Sequence, residues 1–195
     1  VIDLTSKTWC CFGTRGSGKS WLVKHILDST PEHLIYDPLG EHKGYRRYVP
    51  EDRASLAELE EFVKAAIIPD SRAPTRGGPL SLFVVDEANK YIRPKPSPLP
   101  AGIDDLNDFS RHWGLSVGFV CRRPVQFHTD IVELSNYVFF FGLAGKNDYR
   151  YMEDLHQGLG DAVRNLRRFE FISLADGKEI TLHAPIDSPK YPVQT

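Results

Sequence analysis

Gly13-Thr14-Arg15-Gly16-Ser17-Gly18-Lys19-Ser20 is the stretch that decides how this chain folds. Its spacing, G-x-x-x-x-G-K-[ST], is that of a phosphate loop. The chemistry follows from the residue types. Glycines let the backbone wrap close to an anion, so successive N–H groups point at phosphate oxygens. Lys19 reaches the β- and γ-phosphates, and Ser20 offers its hydroxyl to Mg²⁺. The helix that follows presents its positive end to the same anion, with Trp21 in its first turn beside the nucleotide. An accidental glycine-rich turn would lack the right flanks. Here Thr8 to Phe12 is a strand-like apolar run before the loop, and Leu22, Ile26 and Leu27 recur at helical spacing after it. The expected ligand is ATP with Mg²⁺.

The second half of such a site is Leu82-Phe83-Val84-Val85-Asp86-Glu87. A buried strand would deliver two carboxylates at its C-terminal end, where ligands bind in parallel sheets. Asp86 would hold Mg²⁺ through water, and Glu87 would act as general base toward the attacking water. Alone, an apolar strand ending in a solvated acidic turn reads the same way. Downstream of a phosphate loop, the catalytic reading takes precedence.

Working outward, Leu34 to Tyr36 is a second strand stopped by Asp37-Pro38. Ser55 to Ile68 is a helix with Ser55 as cap and Glu58 at the capping-box position. Pro69 to Pro79 is a loop, and four prolines between Arg93 and Gly102 exclude regular structure there. Ile103 to His112 is helical, Leu115 to Cys121 a strand, Ile131 to Leu134 a helical turn and Tyr137 to Leu143 a buried strand. Asp148 to Leu166 is helical with a break near Gly158-Leu159-Gly160. Arg168 to Leu174 and Glu179 to His183 form a hairpin around Asp176-Gly177. Apolar strands alternating with helices imply an α/β fold, a mostly parallel central sheet flanked by helices, with a small C-terminal β-hairpin. The 195 residues fit a single domain: a core over residues 8–145, a C-terminal helix and hairpin over 146–185, and an irregular tail over 186–195.

Composition bounds the rest. The chain is 41% hydrophobic and 26% charged with net charge −2, as in a globular protein not coated in positive charge. A nucleic-acid partner then needs a local basic stripe. No stretch approaches the roughly 18 apolar residues of a membrane span. The opening Val1-Ile2-Asp3-Leu4 lacks a signal peptide's basic stretch, and the missing initiator Met points to a trimmed start. Cys10, Cys11 and Cys121 have no zinc spacing and read as reduced core residues of a cytosolic protein.

Three further segments carry a resemblance. Leu34-Ile35-Tyr36-Asp37-Pro38-Leu39-Gly40-Glu41 is similar to the second-strand segment of the HerA–FtsK superfamily of P-loop ATPases. Arg111-His112-Trp113-Gly114-Leu115-Ser116-Val117, followed by Cys121-Arg122-Arg123-Pro124, resembles the segment carrying that superfamily's sensor strand. Ile131 to Phe141 resembles its helical turn followed by a strand. The likeness covers about residues 8–145. It implies an oligomeric ring, hexamer or pentamer, in which Arg111 reaches the neighbouring subunit's ATP as a finger, with Arg150 as the fallback. Arg111 also reads as a helix C-terminal cation complementing the dipole. Many members carry Gln where this chain has Arg122. The guanidinium either senses the γ-phosphate or turns into a salt bridge.

The compact core, with Arg122-Arg123-Pro124 and then Phe127-His128-Thr129-Asp130, resembles the genome-packaging ATPases of membrane-containing, double-jelly-roll viruses. This implies a motor moving double-stranded DNA into a preformed capsid, in contact with capsid or portal-vertex proteins, in the host cytoplasm or associated with the virion. Arg111-His112 before a Gly also resembles the Zot-like ATPases of filamentous-phage assembly, and a HerA-like cellular translocase is a further alternative. A P-loop kinase would need an acceptor site and an arginine-bearing lid, and adjacent Asp86-Glu87 suits water activation better. DNA would meet Lys90, Arg93 and Lys95, or Arg72 and Arg76, or the cluster Arg164, Arg167 and Arg168. Each also reads as a solvated surface. Tyr91 would stack on a base or pack under its loop.

Overall fold

The computed structural model describes residues 2–68 and 80–187. The expected loop Pro69–Pro79, with Arg72 and Arg76, and tail residues 188–195 lie outside the described residues. The apolar runs form β1 Thr8–Phe12, β2 His33–Tyr36, β3 Arg47–Tyr48, β4 Leu82–Val85, β5 Ser116–Cys121, β6 Tyr137–Phe140, β7 Phe171–Ala175 and β8 Glu179–His183. Helices are α1 Lys19–Ser29, α2 Leu56–Phe62, α3 Ala101–Phe109, α4 Thr129–Leu134, α5 Lys146–Leu155 and α6 Leu159–Arg164.

One sheet runs in the order β3-β2-β4-β5-β1-β6-β7-β8. Its first six strands are parallel, and β7 and β8 join antiparallel as the expected hairpin. β5 lies between β1, which leads into the phosphate loop, and β4, which ends in Asp86-Glu87. This inserted strand makes the domain a P-loop fold of the additional-strand type. The loops after β1, β2, β4 and β5 all leave the same edge of the sheet.

Period-two alternation splits the core into two layers. Cys10, Phe12, Phe83, Val85, Val117, Phe119 and Phe140 face α2 to α6 through Leu59, Ile103, Leu106, Ile131, Met152 and Leu159. Trp9, Cys11, Val84, Val120 and Phe139 face α1 through Leu22, Val23 and Leu27. Each large apolar side chain so buried stabilises the fold by about 1.5–3 kcal/mol. Gly118 on β5 makes room for Trp9: a Cβ there would stand 2.1 Å from the indole Cζ2. All three cysteines are buried and unpaired, and burial pushes the Cys10 thiol up to about 12.

The departures from expectation have local causes. α1 begins at Lys19, directly on the phosphate loop. Ser55 caps α2 by accepting from the Glu58 N–H at 3.1 Å, but the expected capping box is not closed: the Glu58 carboxylate accepts from the N–H groups of Glu51 and Asp52, and the Ser55 N–H donates to Asp52 O. The helix then widens into a π turn over Val63–Ile67, which keeps Val63 and Ile67 both buried. α3 starts two residues early, right after Pro100, and its last turn tightens to a 3-10 turn over Ser110–Trp113. β6 ends at Phe140, short of the expected Leu143; beyond it the Phe141 N–H still donates to Phe12 O at 2.8 Å, and Gly142 O turns to accept from both N and Oγ1 of Thr14 at 3.1 Å. The two-residue β3 carried no periodic signal.

Candidate nucleotide-binding site

Residues 13–18 turn tightly between β1 and α1, with Gly16 at φ 75° and Gly18 at φ 115°. A Cβ on Gly13 would lie 2.6 Å from Ser17 Oγ and 2.7 Å from Phe141 Cβ, so the turn closes only around glycine. Lys19 Nζ donates to Gly13 O at 2.6 Å and Thr14 O at 3.1 Å, which holds the ammonium over the loop. Ser17 Oγ is buried with no hydrogen-bond partner among the protein atoms, a donor positioned for an anion's oxygen.

The loop faces a cavity of about 1160 Å³. Arg15, Gly16, Gly18, Lys19, Ser20 and Trp21 line one side. Asp86, Glu87 and Arg122 line the floor between β4 and β5, so the two halves of the site predicted from sequence come together. Asp86 is buried, its N–H donating to Tyr36 O at 3.0 Å. Glu87 takes a left-handed conformation, φ 50°, and its N–H donates to Asp86 Oδ1 at 2.9 Å. The hydroxyl of Ser20 and the carboxylate of Asp86 are hard oxygen donors on facing walls, a donor set that fits Mg²⁺.

Arg122 adopts the salt-bridged arrangement. Its Nε and Nη2 each donate to Glu87 Oε1 at 3.1 Å, and Nε stands 3.0 Å from Oε2. Arg123, next in sequence, is structural: its Nε donates to buried Asp148 at 2.9 Å.

The loop after β2 forms the opposite wall with Leu39, Gly40, Glu41, Lys43 and Gly44. Behind it His42, almost fully buried, places Nε2 3.0 Å from Asp86 Oδ2. Lys24 of α1 is buried nearby. Desolvation pulls its ammonium below the usual lysine range, opposed by Asp37, Glu41 and Asp28. Phe169 also lines the cavity, 41% exposed at φ 69°, close enough to the phosphate loop that a Cβ on Gly18 would be 3.6 Å from its ring. A bulky residue in that conformation is strained and flags a functional position. The Arg168 guanidinium lies 4.6 Å above the ring. Sequence reading missed His42 and Phe169. Each directly follows a residue that it had singled out, Glu41 before His42 and Arg168 before Phe169.

Arg111 does not line this cavity. It is exposed on the 3-10 turn preceding β5, at the edge where the strands begin, opposite the phosphate loop. Arg150 is exposed on α5. The basic loop after β4 emerges on the cavity's edge of the sheet, with Lys90 and Arg93 exposed and Lys95 paired with Asp130 at 2.6 Å. Tyr91 packs under this loop: it is buried and its hydroxyl donates to Arg53 O at 2.8 Å. Arg164 pairs with Asp161 at 3.0 Å and lies over Tyr149. Among the described residues no helix is long and apolar enough to cross a membrane.

No family model and no curated protein matches the chain. Solved structures do. The genome-packaging NTPase B204 of Sulfolobus turreted icosahedral virus 2, in complex with ATPγS, is 18% identical over 93% of this chain and 98% of that one, with TM-score 0.74. Its sulfate complex gives TM-score 0.76 at 18% identity, covering 95% of this chain and 98% of that one. The N-terminal domain of zonular occludens toxin from Neisseria meningitidis is 13% identical over 94% of this chain and 96% of that one, with TM-score 0.57. These neighbours are of the two kinds the sequence motifs resemble, and at such identities the chain shares with them the mostly parallel, additional-strand P-loop fold.

Proposed function

We propose that this chain is an Mg²⁺-dependent ATPase whose hydrolysis drives double-stranded DNA into a viral capsid, working as a ring of identical subunits in the host cytoplasm. The observation that carries the proposal is the convergence of Lys19, Ser20, Asp86, Glu87 and Arg122 on one cavity. The fold shared with a viral packaging NTPase supports the biological setting.

In hydrolysis, Lys19 exchanges the carbonyls of Gly13 and Thr14 for phosphate oxygens, a move of its flexible stem alone. Ser20 and Asp86 would hold Mg²⁺, which would supply positive charge against the negative charge of the phosphates. Arg122 exchanges Glu87 for the γ-phosphate. The released carboxylate then accepts a hydrogen bond from the attacking water and orients it in line. Trp21, 37% exposed, and Phe169 offer π-faces to the base, a contact tolerant of base identity. Arg111 serves the neighbouring subunit, so a lone subunit turns over slowly. Lys90 and Arg93 give DNA sequence-independent phosphate contacts that weaken with salt.

A second reading, ATP-driven assembly of filamentous phage, is supported by the weaker likeness to the zonular occludens toxin domain. Steady-state ATP hydrolysis across a protein concentration series, with and without double-stranded DNA, separates the two. A packaging motor gives a rate per subunit that rises with concentration and with DNA. In the assembled state, Arg111→Ala then lowers that rate ~10³-fold or more. A rate indifferent to DNA favours the assembly reading, and full-rate turnover by dilute monomer removes the trans finger.

A further inference from the structure

The segment from Asp37 to Gly44 is built to deliver one side chain. Asp37 is fully buried. Its Oδ1 accepts the Glu41 N–H at 3.1 Å, and its Oδ2 accepts the His42 N–H at 2.9 Å and Arg47 Nη1 at 3.3 Å. The same Nη1 donates to Gly40 O at 2.8 Å, and the Asp37 N–H donates to Tyr48 O at 2.8 Å. The backbone at Glu41 and His42 is therefore pinned from two sides, and β3 exists to supply Arg47 and Tyr48 to it. The product is a His42 ring only 1% exposed, with Nε2 3.0 Å from Asp86 Oδ2.

An ionised carboxylate offers only lone pairs, so Nε2 carries the hydrogen and donates. Asp86 Oδ1 already accepts the Glu87 N–H at 2.9 Å. Each oxygen of Asp86 thus holds one donor, and the carboxylate cannot rotate without losing one of them. Polar atoms of Asp37, His42 and Asp86 lie within 4.8 Å of one another, a spacing a metal ion could span. Three N–H groups already occupy Asp37, however, which makes the trio a hydrogen-bonded support and leaves Asp86 as its outward-facing member.

We infer that His42 is a positioning residue for the cation site: it fixes the rotamer in which Asp86 meets Mg²⁺, and so sets the affinity for Mg²⁺ with ATP while leaving the phosphate loop's own grip on ATP untouched. The inference rests on the ATPase reading above. Groups that orient a metal's ligands from behind typically change metal affinity ~10–100-fold when removed.

The test is calorimetric titration of ATP into the Glu87→Gln chain, where turnover is blocked, in Mg²⁺ and separately in EDTA. His42→Leu keeps bulk without a donor, and His42→Gln keeps a donor near the position of Nε2. Expected for His42→Leu are a ~10–100-fold loss of affinity in Mg²⁺, an unchanged affinity in EDTA, and recovery to within a few-fold in His42→Gln. Unchanged affinity of His42→Leu in Mg²⁺ overturns the inference. So does an equal loss in EDTA, or failure of His42→Gln to recover, since either means that His42 only fills space. Should His42→Leu fail to fold, His42→Gln with weakened Mg²⁺-dependent affinity and a normal melting curve overturns it equally. If the parent with His42 intact binds no ATP in either buffer, it is the ATPase reading that falls.

Discussion

Two loops close the nucleotide cavity from opposite sides, and they are built on different principles. The phosphate loop works with its backbone: its glycines place N–H groups, Gly142 O braces it through two bonds from Thr14, and Lys19 Nζ bonds the carbonyls of Gly13 and Thr14. The segment from Asp37 to Gly44 also turns on glycines, Gly40 at φ 70° and Gly44 at φ 92°, yet it is held by one buried carboxylate and presents a side chain. A site made of backbone is written in consecutive residues. A site made of side chains is written in partners far apart, as His42 and Asp86 are.

This contrast makes predictions, the largest at the phosphate loop. Lys19→Met removes the ammonium proposed to clamp the transferring phosphoryl group, and kcat should fall ~10²–10³-fold, while losing its bonds to Gly13 O and Thr14 O should cost no more than about 1–2 kcal/mol of stability. A marked loss of stability would mean that the loop depends on its side chains after all. Asp37→Ala should do the reverse. It strips the acceptor from two N–H groups and a guanidinium, so urea unfolding should show about 3 kcal/mol of lost stability. A fully stable Asp37→Ala chain would break the comparison. Phe169→Ala belongs to neither loop and should weaken nucleotide binding by about 1–3 kcal/mol, equally for ATP and GTP. A loss confined to ATP would show that the base is read by specific hydrogen bonds. The smallest effect is Thr14→Val, which deletes one of the two bonds to Gly142 O and should cost about 0.5–1.5 kcal/mol in thermal unfolding.

Much of this architecture was legible in the sequence. The phosphate loop, the acidic end of β4, the parallel core and the C-terminal hairpin each follow from a local pattern, because strand alternation and glycine spacing are properties of neighbours. What could not be read depends on distant contacts. β3 is two residues long and has no period of its own; it forms because Tyr48 and Arg47 complete the Asp37 loop. His42 looked like any loop histidine until the fold set it against Asp86. Phe169 gave no periodic signal, since its meaning lies in a positive φ at the cavity wall. Arg122 was poised between two roles, and its pairing with Glu87 is the arrangement the protein adopts here.

That pairing leads to the most direct test of the account, which holds that Glu87 performs the chemistry while the two loops perform the binding. The measurement is ATP hydrolysis by the wild-type chain and by Glu87→Gln in Mg²⁺, with ATP affinity determined on the same samples. The account predicts a ~10²–10⁴-fold lower rate in Glu87→Gln with affinity unchanged. Equal rates in the two proteins, or a loss of ATP binding that accounts for the loss of rate, would contradict it.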